Sequence, residues 1–291
     1  MPRIIPALKP RLPSSHKGQN GKVLIVAGSP EFPGAAALCG MAALAVLRSG
    51  SDLVYLAAPT KVAWAVNAIT PDVITIKLPG ARLAMSHLPS LRQHLAGKSC
   101  LLMGPGMSAR EARIGHRLQV ATAQQAIQQT VPLVLDAEMV RALRGKRVFP
   151  RDCVITPHRS ELGSMGYAAR EPTTSAAARA EAKRLQGAMA SFLTQGNVVL
   201  LKGRYDLVVS SDRIHVNATG NEGMTVGGTG DVLAGVVAGI IAQGNKLFDA
   251  AVAAAYAVGA AGDMLYKKQG PGFLASDLLP LLPGVLKTLR K

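Results

Sequence analysis

Short apolar runs alternate with Ala- and Leu-rich stretches along almost the whole chain, and this alternation restricts the folds open to it. The runs at 22–27 (KVLIVA), 52–57 (DLVYLA), 72–78, 100–103 (CLLM), 133–135, 154–156 and 197–201 (NVVLL) have the continuous, β-branched character of strands buried on both faces. The stretches at 35–48, 61–69, 86–95, 109–129, 173–193, 229–242, 246–266 and 275–289 have helical character, the first closed by Ser49-Gly50. That order predicts an α/β fold whose mainly parallel sheet is covered by helices on both faces. The runs 206–210 and 213–216, joined across Ser211-Asp212, predict a late antiparallel hairpin at one edge. No long linker or internal repeat is visible. The expected organisation is an N-terminal extension over 1–20 and a single domain over 21–291.

Composition narrows the class. Hydrophobic residues at 48% against 17% charged exclude a disordered chain. Cys39, Cys100 and Cys153 are far apart and form no CxxC, so they predict reduced thiols and a cytoplasmic setting rather than a disulfide scaffold or a thiolate zinc site. The first 22 residues are broken by prolines and lack the apolar core of a secretory signal. The longest apolar runs, 232–242 and 250–261, fall short of the ~20 residues that span a bilayer, so a soluble chain with no membrane partner is expected. The 33 Lys+Arg against 17 Asp+Glu give a net charge of +16. The few aromatic residues do not cluster with these cations, so no nucleic-acid partner is expected. The charge reads as a solvated basic surface, an attractor for a small polyanion such as a nucleotide, or both. The lone Trp64 reads as packing on an Ala/Val helix, as do Met224 and Tyr256 in their segments. His16, His87, His94, His116 and His215 show no ligand spacing to one another.

Ligands of open parallel sheets bind beyond the carboxyl ends of the strands. Here those ends carry Gly28-Ser29-Pro30, Gly104-Pro105-Gly106, Asp136-Ala137, Pro157-His158 and Lys202-Gly203. The most informative segment is 217–235, NATGNEGMTVGGTGDVLAG, which runs directly into an apolar helix. Gly227, Gly228, Thr229 and Gly230 let the backbone turn its N–H groups inward at a helix start, an anion hole suited to phosphate. Asp231 lies in the first turn of that helix. On spacing alone it serves equally as a carboxylate favoured by the helix dipole or as a catalytic base. The segment is not a P-loop, and Gly104-Pro105-Gly106 is not a dinucleotide fingerprint.

GMTVGGTGDVLAG resembles the anion-hole motif of ribokinase-like kinases and, more narrowly, that of the NAD(P)H-hydrate dehydratase family. GSPEFPGAAAL, LLMGPGMS, LVLDAEMV, ITPHRSEL and VVLLKGRYDLVV resemble further segments of that family in the same order, over roughly residues 20–290. The resemblance implies a ribokinase-like fold. It also implies repair of NADH and NADPH hydrated at C6 of the nicotinamide, with ADP or ATP spent to remove the water. Carried over by motif, Ala35, Gly106, His158 and Asp231 contact the hydrated cofactor, with Asp231 as the base. Lys202, Gly203, Arg204, Tyr205, Asp206 and Gly230 contact the nucleotide. Glu161, three residues after His158, would hold Mg²⁺ through water, though the same spacing fits an ordinary first-turn carboxylate. The family relation also implies a homo-oligomer, a tetramer, and a partner epimerase carried on a separate chain. The chain departs from the family pattern at Arg159-Ser160, where the family has Pro-Gly, at Ser108, where it has Gly, and at Glu222, where it has Pro. Two alternatives share parts of this pattern: a small-molecule kinase of the same fold acting on a vitamin alcohol, and a basic nucleic-acid-binding or regulatory protein with a retained nucleotide pocket. The Thr-Pro-His and Lys-Gly-Arg segments favour the dehydratase over the first, and the placed carboxylate of Asp231 argues against the second.

Overall fold

The computed structural model describes residues 5–31, 34–125, 131–146 and 149–290. Among them, nine strands form one sheet: β1 (Lys22–Val26), β2 (Leu53–Pro59), β3 (Ile74–Leu78), β4 (Cys100–Met103), β5 (Leu133–Leu135), β6 (Cys153–Ile155), β7 (Val198–Leu201), β8 (Asp206–Val209) and β9 (Ile214–Asn217). The order is β3-β2-β1-β4-β5-β6-β7-β8-β9. All neighbours from β3 across to β7 are parallel, and β8 and β9 run antiparallel at the edge. The mainly parallel sheet and the late hairpin are those expected from the sequence.

Register fixes where the loops meet. Val26 pairs with Met103, Met103 with Leu135, Leu135 with Ile155 and Ile155 with Val199. The loops after β1, β4, β5, β6 and β7 therefore leave from a single rim. The chain reverses its direction of travel across the sheet between β1 and β4, the position at which such sheets open a crevice. The Gly28 N–H donates to the Pro105 carbonyl there at 2.9 Å, joining the two loops that flank the crevice.

Alternation along β1 separates two cores. Val23 and Ile25 face the helices Ala35–Arg48, Thr229–Ala242 and Leu247–Gln269, while Leu24 and Val26 face a second cluster with Met139, Leu162 and Phe192. The Thr229–Ala242 helix is buried continuously from Val232 to Ala242, so it forms an inner layer rather than a surface helix. Gly235 permits this, because a Cβ there would overlap the Ala42 carbonyl of the neighbouring helix. The helix that starts the anion hole is thus held rigidly against the sheet.

Several elements differ from expectation for local reasons. The stretch 275–289 is two short helices, Ala275–Leu278 and Leu282–Lys287, because Pro280 interrupts the hydrogen-bond ladder. The stretch 173–193 divides at Met189 into Ser175–Ala188 and Ala190–Leu193. The 109–129 helix is described over Ala109–Gln125, and its last residues lie outside the described residues. The last long helix continues to Gln269 and stops at Gly270. Its 23 residues are long and apolar enough to cross a membrane by length and composition, but 67% of its most apolar window is buried inside the fold. Trp64 does not pack in the core. It is 61% exposed on the outer side of the Thr60–Ile69 helix, whose Val62, Ala63 and Val66 supply the buried side. Lys77 Nζ lies 4.3 Å above the Trp64 ring. The N-terminal segment packs on the domain: Leu8 is buried and its N–H donates to the Leu289 carbonyl at 2.8 Å, while the Gly18 N–H donates to Asp52 at 2.7 Å.

Candidate active site

Gly228 caps the Thr229–Ala242 helix in a left-handed conformation, φ 98°, at a place where a Cβ would strike Met41. The Thr229 hydroxyl donates to the Met224 and Val226 carbonyls, each at 3.1 Å, and folds the glycine loop back on itself. Among the described residues no side chain caps the helix, which leaves its first N–H groups suited to an anion. Asp231 is half-buried in that first turn. Burial pushes its pKa from 3.8 up to about 7, the charges of Asp136 and Glu161 add to the rise, and Lys202 opposes it.

Lys202 stands at the centre of this group. It follows β7, its N–H donates to the Pro157 carbonyl at 2.8 Å, and its Nζ lies 2.9 Å from Asp136 Oδ1 and 3.9 Å from Glu161 Oε2. A Cβ on Gly230 would come 3.2 Å from the same Nζ, so the ammonium touches the start of the anion hole. Burial alone would lower the Lys202 pKa, but Asp136, Glu161 and Asp231 hold it above its ordinary value.

The sequence alone assigns Asp136 no role in the site. The strand-end Asp-Ala was visible, but a polar residue at a strand end reads as loop chemistry. In the fold it is 3% exposed, and Oδ1 also accepts from the Thr156 hydroxyl at 2.7 Å. The backbone around it is specialised. Ala137 has φ 50° and ψ −128°, a conformation that alanine seldom adopts, and Gly104 leaves the room its neighbour needs, since a Cβ there would strike the Asp136 carbonyl.

His158 and Glu161 cap each other across the Arg159–Ser164 helix. The His158 N–H donates to Glu161 Oε2 at 2.8 Å, and His158 Nδ1 accepts from the Ser160 N–H at 3.2 Å. Glu161 is 6% exposed, whereas the His158 side chain is 47% exposed and looks out over the rim. With one Glu161 oxygen bonded to backbone and the other 3.3 Å from His158 Nε2, this carboxylate suits an outer-shell contact through water better than direct coordination. Among the described residues no group of three or more His, Cys, Asp or Glu forms a metal cage.

The 202–206 segment closes the group. Asp206 Oδ1 accepts from the Gly203 N–H at 3.1 Å and Oδ2 from Asn217 at 3.0 Å. Burial pushes the Asp206 carboxyl up to about 6, against those bonds and the charges of Lys202 and Arg159. Tyr205 is half-buried, while Arg204 and Gly227 lie exposed on the rim. On the opposite side, Ala35 opens the Ala35–Arg48 helix and Gly106 follows β4 at φ 61°. Cys39 of that helix joins them, since its thiol donates to the Pro105 carbonyl at 3.4 Å and its pKa is raised by burial and by the charge of Asp231. His158, Glu161, Lys202, Gly203, Asp206, Gly230 and Asp231 thus meet at one wall, with Ala35 and Gly106 across the crevice.

Two departures from the family pattern have local roles. The Ser108 hydroxyl bonds to the Glu111 carboxylate at the start of the Ala109–Gln125 helix. Glu222 accepts from the Tyr266 hydroxyl at 2.6 Å.

A family model described as NAD(P)H-hydrate dehydratase matches residues 23–283. The bifunctional NAD(P)H-hydrate repair enzyme Nnr of Methanothermobacter thermautotrophicus is 38% identical over 283 residues, covering 95% of this chain and 51% of that protein. The chain thus spans about half the length of the curated bifunctional relatives it matches. The ADP-dependent (S)-NAD(P)H-hydrate dehydratase of Cenarchaeum symbiosum is 36% identical over 277 residues, covering 94% of this chain and 91% of that one. The crystal structure of the ADP/ATP-dependent NAD(P)H-hydrate dehydratase from Bacillus subtilis, co-crystallized with ATP/Mg²⁺, superposes with a TM-score of 0.71 at 25% identity, covering 98% of this chain and 95% of that one. The fold is ribokinase-like, shared with solved structures of that superfamily. With its glycine-capped anion hole, its strand-end lysine and a family match across nearly the whole domain, the chain belongs to the NAD(P)H-hydrate dehydratase family.

Proposed function

We propose that the chain dehydrates NADH and NADPH hydrated at C6 of the nicotinamide back to NADH and NADPH, at the expense of ADP or ATP. The observation that carries this reading is Asp231: a half-buried carboxylate, pKa about 7, in the first turn of an uncapped helix and within reach of the charges of Lys202 and Asp136. A base of that strength is matched to neutral pH. Asp231 takes the proton of the C6 hydroxyl as that oxygen attacks the terminal phosphoryl group, and ADP or AMP leaves. The C6 phosphate ester then departs as inorganic phosphate with loss of a proton from C5, which restores the ring double bond. The N–H groups of 228–230 and the Lys202 ammonium stabilise negative charge on the transferring group. Glu161 would help hold a Mg²⁺ ion, which when bound would neutralise further phosphate charge. His158 and Gly106 line the cofactor side of the crevice, as does the backbone of Ala35. Lys202, Gly203, Arg204, Tyr205, Asp206 and Gly230 line the nucleotide side.

The relatives' names support the choice of substrate and of adenine nucleotide. The same reading puts the enzyme in the cytoplasm and makes a hydrate epimerase its functional partner. It also makes the chain a homo-oligomer, a tetramer, which agrees with the exposed apolar side chains Trp64, Ile69 and Ile74 on one edge helix and on edge strand β3. The test mixes the pure protein with hydrated NADH, Mg²⁺ and either nucleotide. Recovery of the near-UV absorbance of reduced nicotinamide is expected, and no recovery with either nucleotide overturns the reading.

A further inference from the structure

A cation beside the 202–206 segment stands outside this mechanism. Arg159 follows His158 directly, at the position where the family pattern has proline. Its guanidinium is secured from behind: Nε donates to the Arg170 carbonyl at 3.2 Å and Nη1 pairs with Glu171. Its third nitrogen, Nη2, is buried and has no hydrogen-bond partner among the described residues. The group lies against Gly203, where an added Cβ would come 2.7 Å from both Nη1 and Nη2. Only the missing side chain of Gly203 lets the guanidinium rest on the backbone of this segment.

A buried charged N–H without an acceptor is costly, and native structures rarely leave one unsatisfied. Fixing the rest of the side chain against Arg170 and Glu171 reduces the entropy lost when the free nitrogen binds. An anionic oxygen is the acceptor that suits a guanidinium best. The neighbouring residues run from Gly203 through Lys202 to Gly230, the start of the anion hole, which is the path a polyphosphate chain would follow. We propose that Arg159 Nη2 binds a phosphate oxygen of the adenine nucleotide and so sets this chain's affinity by the charge of the phosphate chain. The inference rests on the reading that the nucleotide lies against 202–206 and Gly230.

The test is calorimetric titration of the full chain, with Mg²⁺, by ADP and by adenosine. Arg159→Ala and Arg159→Gln should each lose ADP affinity by about tenfold or more, while adenosine binding stays nearly unchanged. Glu171→Gln removes the rear ion pair but keeps the guanidinium, and should hold its ADP affinity within about threefold. Retention of wild-type ADP affinity in both Arg159 variants overturns the proposal. Equal losses for ADP and adenosine also overturn it, because they mark a residue that shapes the pocket without touching phosphate. A wild-type chain that binds neither ligand overturns the nucleotide reading itself, and with it this proposal. A wild-type chain that binds ADP with intact Arg159 variants sinks the Arg159 contact alone.

Discussion

The Lys202 ammonium lies 2.9 Å from the Asp136 carboxylate, although the two residues follow β7 and β5, strands that β6 separates. The pair therefore crosses the strand between them and ties the Lys202–Gly230 wall of the candidate site to the middle of the sheet. Asp136 is 4% exposed in its side chain and Lys202 20%, so neither charge can fall back on bulk water. Removing one partner of such a pair strands the other. Lys202→Met should destabilise the fold by about 3 kcal/mol, read from the urea midpoint. The double variant Lys202→Met, Asp136→Asn should regain part of that loss. A Lys202→Met protein with the wild-type midpoint would show that the pair holds nothing.

Asp231 separates stability from turnover. Its carboxyl has an ordinary pKa of 3.8 and is pushed up to about 7 in the fold, mainly by burial. Between those values the folded protein keeps a proton that the unfolded chain has released, so this group's contribution to stability falls as pH rises across that window. Asp231→Asn removes the titration. The variant should melt later than wild type at pH 8, with the difference vanishing near pH 4. Its dehydratase rate should fall on the order of 10²–10⁴-fold. In the wild type, kcat/KM should rise with pH up to about 7 as the base of the free enzyme ionises. A folded Asn variant that turns over normally would remove Asp231 from the chemistry.

The sheet was legible because strands buried on both faces are continuous apolar runs, as in KVLIVA and NVVLL, and need no periodicity to be seen. The grouping of Lys202 with the glycine loop of Asp231 was legible because a glycine-dense helix start and a strand-end lysine are the local marks of a candidate anion site. Asp136 was not assigned, since its partner Lys202 lies 66 residues away and meets it only through the β5-β6-β7 order, which no local pattern encodes. The exposure of Trp64 was missed for a related reason. An Ala/Val helix shows an apolar face, but which side chain turns away from the core depends on the packing of the Thr60–Ile69 helix against β3.

Arg82 holds two site loops from outside. It pairs with Glu31, in the loop after β1, and lies 3.1 Å from Glu111, which is fully buried and also bonded by Ser108 in the loop after β4. Ser108, where the family has glycine, thus belongs to a clamp that links the loops after β1 and β4. Arg82→Met should lower the denaturant midpoint, because Glu111 is left buried with its hydroxyl partner alone. Glu31→Gln cuts only the outer arm. It should raise KM for the hydrated cofactor while keeping kcat within about twofold, the mark of lost uniform binding. Unchanged KM in Glu31→Gln would mean that the outer arm does not position the loop.

The backbone that aims Asp136 supplies the last prediction. Ala137 holds φ 50° and ψ −128° between β5 and the Glu138–Arg141 helix, a region in which only glycine is comfortable. The surroundings impose it: the Asp136 N–H donates to the Met103 carbonyl at 3.1 Å, the Met139 N–H donates to the Asp136 carbonyl at 3.1 Å, and the Gly104 backbone crowds that carbonyl. Such conformations cost of order 1–3 kcal/mol for a residue with a Cβ. Ala137→Gly relieves that strain but adds freedom to the unfolded chain worth about 0.4–1 kcal/mol, so it should be as stable as wild type or more stable by up to about 2.6 kcal/mol. Ala137→Val adds a β-branch to the strained residue and should lose stability by about 1–3 kcal/mol. Because the turn also fixes the carboxylate that meets Lys202, Ala137→Val should lower kcat even at temperatures where it remains folded, whereas Ala137→Gly should not. Denaturant unfolding and initial rates on the same preparations check both halves. Equal stability and rate for the valine variant would show that the turn places no constraint on Asp136.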